Sequence, residues 1–101
     1  MNGIELIAAE RRRQEESGHT ASHDRRHKYG ELALAGGLYA THAAANIESQ
    51  AMGLNPARRP IPPGVWPWNR EDWHSTPDNP RRQLVKAGAL IAAAIDRLEE
   101  P

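Results

Sequence analysis

Residues 79–100 read NPRRQLVKAGALIAAAIDRLEE, and the reading of this stretch decides the fold class. Asn79 carries a side-chain oxygen that can cap a helix, and Pro80 suits the first helical position, where its missing N–H costs nothing. Leu84, Gly88, Ile91, Ile95 and Leu98 then recur at intervals of three and four residues. They form one stripe at helical spacing, widened by Val85 and Ala92. The pattern predicts a helix that runs to about Glu100.

Two more helices are read upstream. Ile4, Ile7 and Ala8 share a face, which predicts a helix over about Gly3 to Ser17, and Gly18 is a natural stop. Leu32, Ala35, Tyr39, Ala43 and Ile47 line a second helix over about Gly30 to Met52, with Leu34, Leu38 and Ala45 widening the stripe and Gly53 ending it. Gly36-Gly37 sits inside this helix, at a cost of about 1 kcal/mol per glycine relative to alanine. Such a pair lets another backbone or a ligand approach closely. No stretch alternates as a strand does. The chain therefore reads as one all-α domain, residues 1–101, a small bundle of three main helices.

Between the second and third helices lies RRPIPPGVWPWNREDWHSTPDNPRRQ, residues 58–83, with all three tryptophans and six of the eight prolines, in a chain that has no Phe. Loops longer than about 15 residues are uncommon in compact domains and are commonly functional or disordered. Disordered segments are poor in aromatics, so this one is expected to be an ordered lid. Its prolines hold it extended and its tryptophans anchor it to the helices. An indole face can also stack on a base or hold a cation.

Composition narrows the function. The 13 basic and 13 acidic residues balance, which argues against broad wrapping of nucleic acid, where a basic face supplies the affinity. The positive charges are nevertheless clustered, at Arg11–Arg13, Arg25–Arg26 with Lys28, Arg58–Arg59 and Arg81–Arg82. There is no cysteine, hence no disulfide and no thiolate metal site. No apolar run approaches the roughly 20 residues of a membrane span, no signal peptide is read, and a cytoplasmic location is expected. Alanine dominates the apolar positions, which is thin for one small core; self-association is expected, around Gly36-Gly37 or along the last helix.

Two blocks, LIAAERRRQ…HDRRHKYGELALAGGLYA and WPWNREDW…RRQLVKAGALIAAAIDRL, resemble a family of small helical proteins of phages and prophages. The resemblance spans most of the chain apart from roughly residues 43 to 59. Matching positions are Glu10, Arg13, Gln14, His23, Asp24, His27, Glu31, Tyr39, Trp66, Trp68, Trp73, Arg82 and Lys86. His19 stands where the family usually has Trp, and Ala94 where it often has Glu. The resemblance implies a viral setting, in the host cytoplasm, and supplies no mechanism.

The candidate chemistry is that of an anion site. Arg81 and Arg82 lie in the first turn of the third helix with Lys86 one turn on, and an anion there would meet guanidinium groups and free backbone N–H groups together. Trp66, Trp68 or Trp73 would cover an attached base. The alternative partners for these arginines are the lid acids Glu71, Asp72 and Asp78. Arg13, His23 and His27 complete the ligand-binding candidates. His23, His27 and Glu31 are spaced by four, as metal ligands on a helix can be, but Gly30 argues against a continuous helix there and no metal or other cofactor is expected. An all-α, Mg²⁺-dependent nucleotide pyrophosphohydrolase would need paired carboxylates one turn apart; the chain has no E-x-x-E, and Glu10 and Glu31 are single inward-facing acids. The reading is thus a homo-oligomeric protein, leaning away from an enzyme, that captures an anionic nucleotide-like molecule and so evades host immunity. The Mg²⁺ hydrolase and a protein–protein inhibitor using the Trp/Pro segment are the alternatives. On this reading, Arg82→Ala weakens ligand binding more than folding.

Overall fold

The structure, a computed structural model, describes residues 1–16, 30–54 and 64–99. These residues form three α-helices, α1 (Gly3–Glu16), α2 (Glu31–Ala51) and α3 (Pro80–Glu99), with one short 3-10 turn at Arg70–Asp72 and no strand among them. The all-α bundle expected from the helical spacing is what the chain adopts. Gly18, His23, Asp24, His27 and the basic residues at 25, 26, 28, 58 and 59 lie outside the described residues.

The helix ends follow from local chemistry. Asn2 and Glu5 cap α1 reciprocally: the Glu5 N–H donates to Asn2 Oδ1 and the Asn2 N–H to Glu5 Oε1, each at 2.9 Å. Gly53, at φ 73°, closes α2 in the left-handed conformation. Its N–H donates to the Gln50 carbonyl at 3.1 Å and that of Leu54 to Ser49 at 2.8 Å, a Schellman arrangement that only glycine enters without strain. Asn79 caps α3 as read, accepting the Arg82 N–H on Oδ1 at 3.1 Å.

α2 and α3 are the main packed pair, and α1 packs on α3. The closest approach is at Gly36, where a Cβ would come within 3.0 Å of the Ala87 carbonyl oxygen and of Ile91 Cγ1. Gly36 thus serves an internal helix crossing rather than a ligand or a second chain, while Gly37 beside it is exposed. The core comprises Leu32, Ala35 and Tyr39 of α2, Ala87, Leu90 and Ala93 of α3, and Trp66 and Trp73 of the connection.

Three helical faces depart from the sequence reading. In α2 the fully buried residue after Ala43 is Asn46, while Ile47 is half-exposed, because Asn46 has a polar partner inside. In α1, Ile4 and Ala8 face solvent and the buried residues are Glu10 and Gln14, held by charge rather than by apolar contact. In α3 the bulky stripe points outward: the buried residues are Gln83, Ala87, Ala89, Leu90 and Ala93, and Leu84, Ile91, Ile95 and Leu98 are exposed. Small residues face inward because α2 and α1 approach α3 too closely for large ones, as Gly36 and Gly88 mark. No helix among the described residues is long and apolar enough to cross a membrane.

Candidate functional site

Residues 64–79 of the connection pack on the helices, and the three tryptophans form one aromatic cluster on Tyr39. Trp73 stacks on the Tyr39 ring at 4.6 Å between centroids and 9° between planes. Trp66 meets both rings edge-on, at 5.6 Å from Tyr39 and 4.9 Å from Trp73, and Trp68 meets Trp66 edge-on at 5.3 Å. Offset stacks and edge-to-face contacts are the favoured geometries of ring quadrupoles. The polar edges are satisfied as well: Trp66 Nε1 donates to the Asn69 carbonyl at 3.0 Å, and the His74 N–H donates to the Tyr39 hydroxyl at 2.9 Å.

A buried polar bridge fixes the far end of the segment. Gln83, fully buried, accepts on Oε1 from Ser75 Oγ at 3.1 Å and the Thr76 N–H at 3.2 Å, and donates through Nε2 to Asn46 Oδ1 at 2.8 Å. One side chain of α3 thereby joins α2 to the connection. Both ends of the amide are used, so its burial incurs little penalty.

Beside the aromatic cluster, Glu10 of α1 is the hub of a charge cluster. Arg13 grips its carboxylate with Nε and Nη2, both at 2.9 Å; Gln14 Nε2 donates at 3.1 Å and Arg82 Nη1 of α3 at 2.7 Å. The Glu10 side chain is 2% exposed. Burial alone would push its carboxyl up, but the hydrogen bonds from Arg13 and Arg82 and the Arg82 charge outweigh it and hold the group at about 2. Lys86, one turn after Arg82, is half-buried; its Nζ donates to the His74 carbonyl at 2.8 Å and lies 5.6 Å from the Tyr39 ring centroid. Burial pushes the Lys86 ammonium below its ordinary range, and the Arg82 charge adds to this while Glu10 opposes it.

These groups surround an open pocket of about 120 Å³, lined on the charged side by Glu10, Arg13, Gln14 and Lys86 and on the other by Tyr39, Trp66, Trp68, Asp72, His74 and Leu90. Of the residues singled out in the sequence, Arg13, Trp66, Trp68 and Lys86 line it. Arg82 stands behind it, bonded to Glu10. Trp73 is beneath it in the aromatic stack, and Arg81 is exposed. His23 and His27 lie outside the described residues. The site sits one turn along α3 rather than at its terminus, because Asn79 already takes the Arg82 N–H. The partner of Arg82 is also not a lid acid; it is Glu10, 72 residues away in the chain.

Glu10 was legible as an inward-facing acid, and its i+3 and i+4 neighbours Arg13 and Gln14 share its face; its role as hub needs α3. Asp72 and His74 carry no spacing signal and reach the pocket through the 3-10 turn. Comparison of the chain with models of protein families, with curated proteins and with solved structures finds no match.

Proposed function

We propose that this pocket captures the anionic group of a nucleotide-like small molecule and does so without chemical turnover. The observation that carries the reading is a pocket with an aromatic wall in which Arg13 and Arg82 both bond one internal carboxylate while the Lys86 ammonium is held by the His74 carbonyl. Among the described residues, the lining charges Arg13 and Lys86 are matched by Glu10 and Asp72, and Arg82 behind them adds one positive charge. Among the described residues, Lys86 contacts a carbonyl and a ring face instead of a carboxylate. An incoming phosphate or carboxylate would supply the missing counter-charge in a half-buried setting, where charge-assisted bonds are strong.

The size of the pocket specifies how the ligand sits. Sites that enclose a drug-sized molecule measure about 300–1,000 Å³, so about 120 Å³ admits one anionic group and the edge of the moiety attached to it. The rest of the molecule would lie outward past Trp68, which is only partly buried. Capture is favoured over hydrolysis because Glu10 already accepts four hydrogen bonds, the full complement of a carboxylate. Such a group is a poor base and a poor Mg²⁺ ligand. The inhibitor reading is weakened because Trp66 and Trp73 are buried in contact with Tyr39 and with each other. In the viral setting that the phage resemblance implies, a protein that sequesters a host nucleotide signal would use such a site.

The test is titration calorimetry against a panel of nucleotides, cyclic nucleotides and inorganic phosphate, with and without Mg²⁺, followed by recovery of the ligand. The expected result is Mg²⁺-independent binding of a ligand recovered unchanged, weakened about tenfold or more in Lys86→Met, which removes one charge-assisted contact. Binding that Lys86→Met leaves intact, or hydrolysis of the ligand, would overturn the reading.

A further inference from the structure

The outer face of α3 has no role in the pocket. Leu84 and Ile91 are 43% and 42% exposed, Ile95 54% and Leu98 81%. They fall at intervals of seven, four and three residues, the spacing of a two-helix coiled-coil seam in which the remaining position, Gly88, is already taken by α1 of the same chain. Ile7 of α1 covers Gly88 closely enough that a Cβ there would lie 2.5 Å from its Cδ1. Ile4, one turn earlier on α1, is 81% exposed and extends the apolar surface beside the seam. At about 100° per residue, Lys86 and Leu90 sit on the far side of α3, so this face and the pocket point apart.

We propose that this face is a two-fold interface between two copies of this chain, with their α3 helices antiparallel. The charges flanking the seam argue for a second copy. Arg81 and Glu99 are both exposed. They are eighteen residues apart, about five turns, so they lie on the same flank at opposite ends of the helix. An antiparallel two-fold pairing sets Arg81 of each copy near Glu99 of its partner, whereas parallel pairing sets like charges together. The apolar register agrees. Ile91 is midway between Leu84 and Leu98, so Ile91 sits on the axis against its own copy while Leu84 meets Leu98. A surface that satisfies itself in both charge and register is isologous. Stable interfaces cover roughly 1,000 Å² or more. The 20 residues of α3 supply a seam about 30 Å long, which Ile4 and Ile7 broaden.

The absence of cysteine from the chain makes the register testable with single thiols. Sedimentation of the unaltered protein at micromolar concentration should give a dimer. Mild oxidation should link Ile91→Cys chains in pairs, Leu84→Cys alone should remain unlinked, and the Leu84→Cys/Leu98→Cys double variant should link. Ala44→Cys, on the exposed side of α2, is the unlinked control. Arg81→Glu should weaken the dimer by roughly three- to tenfold, and adding Glu99→Arg in the same chain should restore it. A monomer throughout, Ile91→Cys no more reactive than the control, or Leu84→Cys linking as readily as Ile91→Cys would overturn the proposal. If the cysteine variants lose helicity, sedimentation of the unaltered chain and of the charge-swapped pair still decides. Because the faces are separate, anion binding should persist in Arg81→Glu, so failure of one proposal is distinguishable from failure of the other.

Discussion

The aromatic connection and the outer face of α3 invert the usual association of regular structure with burial. The connection has no long helix, yet Trp66 and Trp73 are core residues at 9% and 6% exposure. α3 is a regular helix of 20 residues, yet four of its five leucines and isoleucines are exposed, Leu90 being the exception. Backbone separation explains the difference. α2 and α3 approach too closely at Gly36 for large side chains to fit between them, so alanine serves there. The connection lies against Tyr39 of α2 and Lys86 of α3, and its indoles fill the space there. Bulk goes where the backbones are far apart, and regularity of the backbone does not select it.

The largest effect expected is on the aromatic side of this comparison. Trp73→Ala removes the ring stacked on Tyr39 and should cost about 3–5 kcal/mol, a fall in Tm of more than about 12 °C. Thermal unfolding followed by circular dichroism checks it. Trp68→Ala, at the partly exposed end of the cluster, should cost less than half as much; equal losses would mean the cluster is not anchored through Trp73.

Arg82→Ala comes next, because it leaves the Glu10 carboxylate buried with one cation fewer. Removing one partner of a buried pair costs about 3–5 kcal/mol, and with Arg13 and Gln14 still bonded to Glu10 a loss of about 2–3 kcal/mol is expected, read from denaturant unfolding. This reverses the expectation from sequence that Arg82 matters more to the ligand than to the fold. Lys86→Met, which touches no buried acid directly, should separate the two effects.

The same carboxylate gives the fold an acid dependence. Glu10 ionises at about 2 in the folded protein, below its ordinary value of 4.5. A depressed carboxyl stabilises the folded form fully above the unfolded value and loses that contribution as pH falls. Stability should therefore be flat on this account above about pH 4.5 and decline toward pH 2, by a total on the order of 3 kcal/mol. Unfolding midpoints measured across this range check it, and the decline should be shallower in Arg82→Ala, where the cause of the depression is partly removed.

The smallest effect tests the other side of the comparison. Ile95→Ser, on the outer face of α3, should change the stability of the single chain by less than about 0.5 kcal/mol while weakening association. A loss as large as that of Trp73→Ala would show that the outer face is packed within one chain, and the contrast drawn between the two regions would fail.

By itself the sequence determined the three helices, the end of α2 and the start of α3. Asn79-Pro80 and Gly53 set local backbone geometry through hydrogen bonds within a few residues, and no distant contact is needed to read them. It also pointed to an ordered Trp-rich segment, since disordered segments are poor in aromatics, and the described residues 64–79 are packed on the helices. Tertiary structure alone decided which faces those helices bury. Periodicity marks a stripe, and the stripe of Leu84, Ile91, Ile95 and Leu98 is real, but burial depends on how closely a neighbouring backbone approaches, and that distance is set at Gly36 and Gly88. Only the fold, likewise, could bring Arg82 to a glutamate 72 residues away and make a pocket wall of Arg13, Lys86 and Tyr39. The carboxylate that neutralises Arg82 lies on another helix, and no spacing along the chain encodes which of its acids will be buried beside it.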